Sequence, residues 1–354
     1  MTTKPNIREA KLYEKLEDDK VRCNLCERKC IIPNGGRGFC KTRENRNGKL
    51  YTLVYGDISS ISANPIEKKP FFHFYPGSYA LTVGTWSCNF TCPWCQNWTI
   101  SKIEPKPEKA NYISPEKLVD MTLRYKCQGT SISFNEPTLL FEYSLDVFRE
   151  AKKHGLYNNY VSNGYMSAEA LKMLCEAGMD AIKFDVKGDA EVVRRFCNAN
   201  VEIIWRNIKL AKKLDLHVEI VNLVIPGVND EEETIRWIAQ QTLKYADEET
   251  PLHFTRYYPE YQFETPPTPV ETLEKAYRIA KEEGLKYVYI GNVLGHKFEN
   301  TYCPECGELL IKRYGFDIVK YKVKEDKKCP KCGEKIPIVG CYVKKSPLRF
   351  LYSL

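Results

Sequence analysis

The 354-residue chain has no long hydrophobic run. No stretch approaches the roughly 18 apolar residues of a membrane span, and the opening MTTKPNIREAKLYEKLEDDK lacks the apolar centre of a secretory signal. Both absences argue against export and predict a cytoplasmic protein with no membrane contact, in which thiols stay reduced. The Asn-x-Thr triplets at Asn89 and Asn97 are then not glycosylation sites. An excess of one charge sign is also missing, because 53 basic and 46 acidic residues leave a net charge of only +7. The most basic stretches are residues 320–331 and the tail with Lys344, Lys345 and Arg349. They read as solvated faces or as contacts with an acidic protein, which disfavours nucleic acid as the main partner. There is no low-complexity segment and no internal repeat beyond two similar Cys-Pro-x-Cys-Gly knuckles. A hydrophobic content of 43% excludes a mainly disordered chain.

What the chain does have is cysteine. There are fifteen, bunched at spacings of two and three residues, a pattern that points to metal in a reducing compartment. Their positions suggest three regions: a pattern-poor first region, 1–75, with Cys23, Cys26, Cys30 and Cys40; a middle region, 76–295; and a third, 296–354, with Cys303, Cys306, Cys329 and Cys332. The middle region alternates strand-like runs at 80–84, 130–134, 157–162, 181–185, 217–225, 252–257 and 287–290 with helical stretches. Ser114, Ser167, Asp230 and Thr268 are placed to cap the helices that follow them. Strands alternating with single helices imply right-handed crossovers, a parallel sheet and an α/β fold, a partial or full β/α barrel. Catalytic residues then belong just after the strands, at their carboxyl ends. The proline-containing loops at 104–115 and 259–269 read as lids.

The sharpest motif is Cys88-Asn-Phe-Thr-Cys92-Pro-Trp-Cys95, directly after the first of those strand runs. Three thiolates within eight residues can hold three corners of a cubane cluster and leave one iron open. A structural zinc ion would need a distant fourth ligand, so the cluster is the preferred reading. Cys303-Pro-Glu-Cys306-Gly and Cys329-Pro-Lys-Cys332-Gly form a zinc-ribbon pattern, with redox use of a Cys-x2-Cys pair as the alternative. For Cys23, Cys26, Cys30 and Cys40 the spacing does not decide between zinc and an auxiliary iron-sulfur cluster, although Gly35, Gly36 and Gly38 suit a tight knuckle. Cys127, Cys175, Cys197 and Cys341 have no partner at ligand spacing; Cys175 reads as core and Cys341 as a spare ligand at best. His253 reads as a core histidine, Arg256 or Tyr258 as facing the site, and His73 and His296 as loop residues.

Cys88-x3-Cys92-x2-Cys95 with Trp94 before the last cysteine resembles the radical S-adenosylmethionine (SAM) superfamily. The resemblance implies a [4Fe-4S] cluster on these three cysteines and SAM chelating its open iron. It also implies reductive cleavage of SAM to a 5′-deoxyadenosyl radical, and an electron donor such as ferredoxin or flavodoxin. Trp94 would pack on the adenine or shield the cluster. Asn135-Glu136-Pro137, Ser162-Asn163-Gly164, Asp185-Val186-Lys187 and Asn222 each follow or end a strand run, as do the SAM-contacting segments of glycyl-radical activating enzymes such as the pyruvate formate-lyase activating enzyme. By that resemblance Glu136 would bind the methionyl amine, and the other residues the ribose and carboxylate. Asn135 stands where those enzymes carry a glycine. Over nearly the whole chain the similarity is to the radical enzyme of the AmmeMemoRadiSam system, which implies AMMECR1-like and Memo-like partner proteins. The expected function is hydrogen abstraction from an unidentified substrate. The alternatives are activation of a glycyl-radical partner and a zinc-only nucleic-acid-binding module.

Overall fold

All seven strand runs pair in one sheet. The computed structural model describes residues 4–344, so Lys345 and Arg349 of the basic tail lie outside the described residues. The eight-stranded sheet runs in chain order through Ser60–Pro65, Tyr79–Gly84, Gly129–Ile132, Tyr157–Ser162, Ala181–Asp185, His217–Val224, Leu252–Arg256 and Val288–Gly291. The first strand pairs antiparallel with the second, and every later neighbour is parallel. The first and last strands are the two edges of the sheet, so the barrel is partial. Strand Ser60–Pro65 draws part of the predicted amino-terminal region into the barrel sheet, which moves that boundary upstream of residue 60.

Helices cover the outer face. Helix Val201–Lys213 buries Ile204, Trp205, Ile208 and Ala211, one stripe at helical spacing. The polar strand residues of the Tyr-Asn-Asn-Tyr run are buried in pairs instead: Thr130 Oγ1 donates to Asn158 Oδ1 at 2.6 Å and Ser131 Oγ to Asn159 Oδ1 at 2.7 Å. Each polar atom in these pairs has a partner, which is what allows such residues inside a sheet. Ser114 and Ser167 cap helices as predicted, accepting from Lys117 N at 3.3 Å and Ala170 N at 3.2 Å. Asp230 and Thr268 do not cap. Asp230 Oδ1 accepts from Gly227 N at 2.7 Å and closes a turn, while Thr268 Oγ1 accepts from Tyr257 N at 2.9 Å and donates to Val224 O at 2.6 Å, stapling two strand ends.

Two small three-stranded sheets form the amino-terminal region. Arg43, buried, donates from both terminal nitrogens to the Glu142 carboxylate at 2.7 Å and locks this region to helix Phe141–Lys153. The cysteine knuckle rests on the loop after strand Tyr157–Ser162, through Glu27 N to Tyr165 O and Ser167 N to Leu25 O, both at 3.0 Å. The carboxy-terminal sheet, Thr301–Tyr302, Leu309–Tyr314 and Asp317–Tyr321, joins the barrel elsewhere. Its Arg313 lies 4.1 Å over the Phe72 ring and donates to Phe72 O at 2.9 Å.

Phe72 and His73 belong to a polar network at the amino ends of the last strands. Their backbone N–H groups donate to Glu219 at 3.0 and 2.8 Å, and His253 and His217 bring Nε2 to the same carboxylate at 2.7 and 2.9 Å. His253 is therefore a core residue. His73 differs from expectation: although between regular elements, it is fully buried, with Nε2 2.6 Å from the Tyr289 hydroxyl. Burial pushes the Glu219 carboxyl up, but the hydrogen bonds and charge of the two histidines outweigh it and hold the group well below its usual range. Glu219→Gln replaces one acceptor oxygen with an amide that faces donors, and should cost about 3–5 kcal/mol of stability in chemical denaturation. The wild-type advantage is present above the unfolded carboxylate value of about 4.3 and disappears as pH falls below it, so the two stability curves should converge in acid.

Candidate active site

The cysteine loop starts where strand Tyr79–Gly84 ends, at the carboxyl end of the sheet. Two non-glycine residues there are left-handed, Ser87 at φ 69° and Phe134 at φ 68°, a strain of about 1–3 kcal/mol each unless the surroundings enforce it. Asn135 does the enforcing. Its Oδ1 accepts from Thr85 N at 3.0 Å and its Nδ2 donates to Ser87 O at 2.7 Å, while Asn97 Nδ2 donates to Phe134 O at 2.6 Å. An asparagine in place of a glycine thus ties the Glu136 turn to the cysteine loop. Close approach falls on Gly84, where a Cβ would meet Ser133 O at 2.9 Å.

Glu136 is buried and multiply held. Oε1 accepts from Thr138 N at 3.1 Å, from the Thr138 hydroxyl and from Ser162 Oγ at 2.9 Å; Oε2 accepts from Asn163 N at 2.9 Å. One further donor can reach Oε2, since a carboxylate oxygen offers two lone pairs. Burial raises the carboxyl pKa, against the pull of these donors. Asn163 Nδ2 in turn donates to Asn89 Oδ1 at 2.8 Å, and that oxygen lies 3.9 Å from Cys88 Sγ. Across the mouth, half-buried Asp185 pairs with Lys183 and, at 3.4 Å, with Lys187. Burial works to raise the Asp185 pKa, but the two ammonium groups prevail and lower it. Lys187 also senses the charge of Cys92 and Cys95, which places it beside the cysteine loop. Asn222 Nδ2 donates to Val186 O at 2.9 Å, and its buried Oδ1 has no partner among the described residues.

Trp94 is buried between Phe196 and Phe263, with ring centroids 5.2 and 5.5 Å away, and its indole nitrogen is likewise unpartnered. Phe263 belongs to the proline-containing loop 259–269, which docks on the cysteine loop through Gln262 N to Pro93 O at 3.0 Å and Trp98 Nε1 to Glu260 Oε1 at 3.0 Å. That loop covers the cluster side of the mouth. Arg256 donates to Thr268 O at 2.8 Å, and Tyr258 is exposed with its hydroxyl donating to Asn292 O at 3.3 Å.

The donor sets fit different metals. Among the described residues, one group of three or more metal-ligating side chains has all its donor atoms within 4.8 Å: Cys303, Cys306, Cys329 and Cys332. Cys303 and Cys332 sulfurs are 3.5 Å apart, Cys306 and Cys329 sulfurs 3.7 Å. A tetrahedral ion with bonds of about 2.3 Å spaces its sulfurs by about 3.8 Å, so this set matches a four-thiolate zinc site. Gly307 and Gly333, at φ 70° and 82°, turn the two knuckles alike. Cys88, Cys92 and Cys95 do not converge on such a point, which suits a multi-iron cluster with each sulfur on a different iron.

Three residues escaped sequence reasoning. Cys197, without a partner at ligand spacing, has its sulfur 3.4 Å from that of Cys92, and its hydrogen bond, with help from Lys187, lowers the Cys92 pKa. No local spacing signals a contact across 105 residues. Asn89, which the sequence offers only as an unused sequon, is buried and holds Asn163. Lys69 is buried with no ion-pair partner among the described residues, and burial, aided by Lys68 and Lys183, lowers its pKa to about 7.

The structure therefore sets three cysteines in the loop at the carboxyl end of a strand of a partial barrel. The Radical SAM superfamily model matches residues 83–238, which run from strand Tyr79–Gly84 into the helix after strand His217–Val224. An uncharacterized protein of Methanocaldococcus jannaschii is 48% identical over 336 residues, 94% of this chain and 100% of that protein. The (2S)-3-sulfopropanediol sulfolyase activating enzyme of Bilophila wadsworthia is 31% identical over 122 residues, 34% of this chain and 40% of that enzyme. A solved domain of the pyruvate-formate lyase-activating enzyme from Bacteroides vulgatus is 22% identical with a TM-score of 0.40, covering 46% of this chain and 99% of that domain. No helix among the described residues is long and apolar enough to cross a membrane.

The proximity of Cys197 to Cys92 invites substitution of one for the other. Cys197→Ala should keep the iron content and the visible charge-transfer absorption of the anaerobic protein. Cys92→Ala should lose part of both while keeping zinc; iron and absorption unchanged from wild type would show that Cys197, with its sulfur 3.4 Å from that of Cys92, takes its place.

Proposed function

We propose that the chain cleaves SAM at a [4Fe-4S] cluster held by Cys88, Cys92 and Cys95 and takes a hydrogen atom from a substrate at the barrel mouth. The observation that carries this reading is the divergent set of three cysteines at the strands' carboxyl end, flanked by unpartnered buried polar atoms on Asn222 and Trp94. Cluster and SAM, when bound, supply one-electron cleavage of the sulfonium to methionine and a 5′-deoxyadenosyl radical. The chain supplies the rest. With SAM bound, Oε2 of Glu136 would accept from the methionyl amine, and Lys187 would attract the methionyl carboxylate by charge. Ser162 and Asn163 hold Glu136 in place, Asp185 orients Lys187, and Asn222 Oδ1 accepts from a ribose hydroxyl. Trp94 and Phe263 keep water from the cluster side. The carboxy-terminal four-cysteine set carries a structural zinc ion.

The substrate reading follows the resemblance to the AmmeMemoRadiSam enzyme, with AMMECR1-like and Memo-like proteins as companions and a ferredoxin or flavodoxin as donor. A second reading, activation of a glycyl-radical partner, is favoured by the 31% identity to an activating enzyme. Anaerobic protein, reduced and given SAM, should release 5′-deoxyadenosine, and Cys92→Ala should fall to background. Wild-type protein with an intact cluster and no product would remove the enzyme reading. Lys187→Ala should weaken SAM binding about tenfold or more in equilibrium dialysis with catalytic iron unchanged, the size of one charge-assisted contact.

A further inference from the structure

We propose that Cys23, Cys26, Cys30 and Cys40 hold a second [4Fe-4S] cluster beside the catalytic one. The protein contains its own ruler. In the carboxy-terminal set, four sulfurs lie mutually within 4.8 Å, as one ion requires, whereas no three sulfurs of the amino-terminal set do so. In this the amino-terminal set behaves like Cys88, Cys92 and Cys95. Its four cysteines also line a single pocket. Four thiolates that line one pocket without converging on a single point match a cubane with a cysteine at each iron, and no iron left open.

Two further features point into that pocket. Arg43 lines it, and while both terminal nitrogens are taken by Glu142, its buried Nε has no partner among the described residues. A donor in that position suits a cluster sulfide or thiolate, since hydrogen bonds to the sulfurs are a recurrent part of cluster sites. The second is Asn89, which lines the same pocket. Its side chain hydrogen-bonds Cys26 and lies 3.9 Å from Cys88 Sγ. One asparagine therefore separates a ligand of each set. Arg28 fixes the approach, donating to Asn89 O at 2.9 and 2.7 Å and to Cys197 O at 3.1 Å. The knuckle is thus clamped to the catalytic loop and not merely adjacent to it.

The test is metal content of protein isolated anaerobically without added iron. Wild-type chain should hold about eight irons, eight sulfides and one zinc. A Cys88→Ala, Cys92→Ala, Cys95→Ala variant should retain about four irons and four sulfides with the absorption of a cubane cluster. Wild-type protein with about four irons and two zincs would overturn the second cluster while leaving the catalytic one intact. Wild-type protein without iron would overturn both. Should the triple variant not fold, the wild-type ratio of iron to zinc decides the matter alone.

Discussion

The mouth of the barrel depends on one buried carboxylate. Glu136 gathers the Thr138 backbone and hydroxyl, the Ser162 hydroxyl and the Asn163 N–H, so the ends of two neighbouring strands are fixed to each other through its two oxygens. An anion buried this way is tolerated because each donor offsets part of its desolvation, and removing any one donor would leave a costly unpaired group. From Glu136 the constraint spreads. Asn163 holds Asn89 beside Cys88, and Asn135, one residue before Glu136, holds Ser87 in its left-handed conformation. The cysteine loop is positioned by these contacts rather than by apolar packing alone.

The opposite end of the barrel repeats the device with a different purpose. Glu219 collects two backbone N–H groups and two histidines, and through Phe72 and Tyr289 it reaches the Arg313 side chain of the carboxy-terminal sheet. That sheet packs at the amino ends of the last strands, away from the cysteine loop. The amino-terminal knuckle is the contrary case. Its contacts run to Asn89, Cys197 and the turn after strand Tyr157–Ser162, all at the catalytic end.

Much of this was legible in the sequence because the signals are local. Seven strand runs were visible from hydrophobic pattern and turn residues, and a parallel sheet followed from their alternation with helices. The cysteine spacings marked Cys303, Cys306, Cys329 and Cys332, which the fold brings together. The first region was misjudged where a short polar strand, Ser60–Pro65, takes its place only by pairing with Tyr79–Gly84. Asp230 and Thr268 were read as caps because their position relative to a helix is all that a sequence displays; the competing partners, Gly227 N and Tyr257 N, come from the fold. His73 and Cys197 were misjudged for the same reason, each meeting its partner across more than a hundred residues. Glu136 was named from the motif, yet the four protein donors that hold it were not foreseen, since they depend on two loops being side by side.

The central claim is an open iron at the Cys88, Cys92 and Cys95 cluster that SAM occupies. Electron paramagnetic resonance of the reduced protein, recorded before and after adding SAM, tests it most directly. The account predicts that the signal lost in the Cys92→Ala variant shifts when SAM is added, because the amine and carboxylate change the coordination of one iron. A signal from that cluster that does not change at saturating SAM would contradict it.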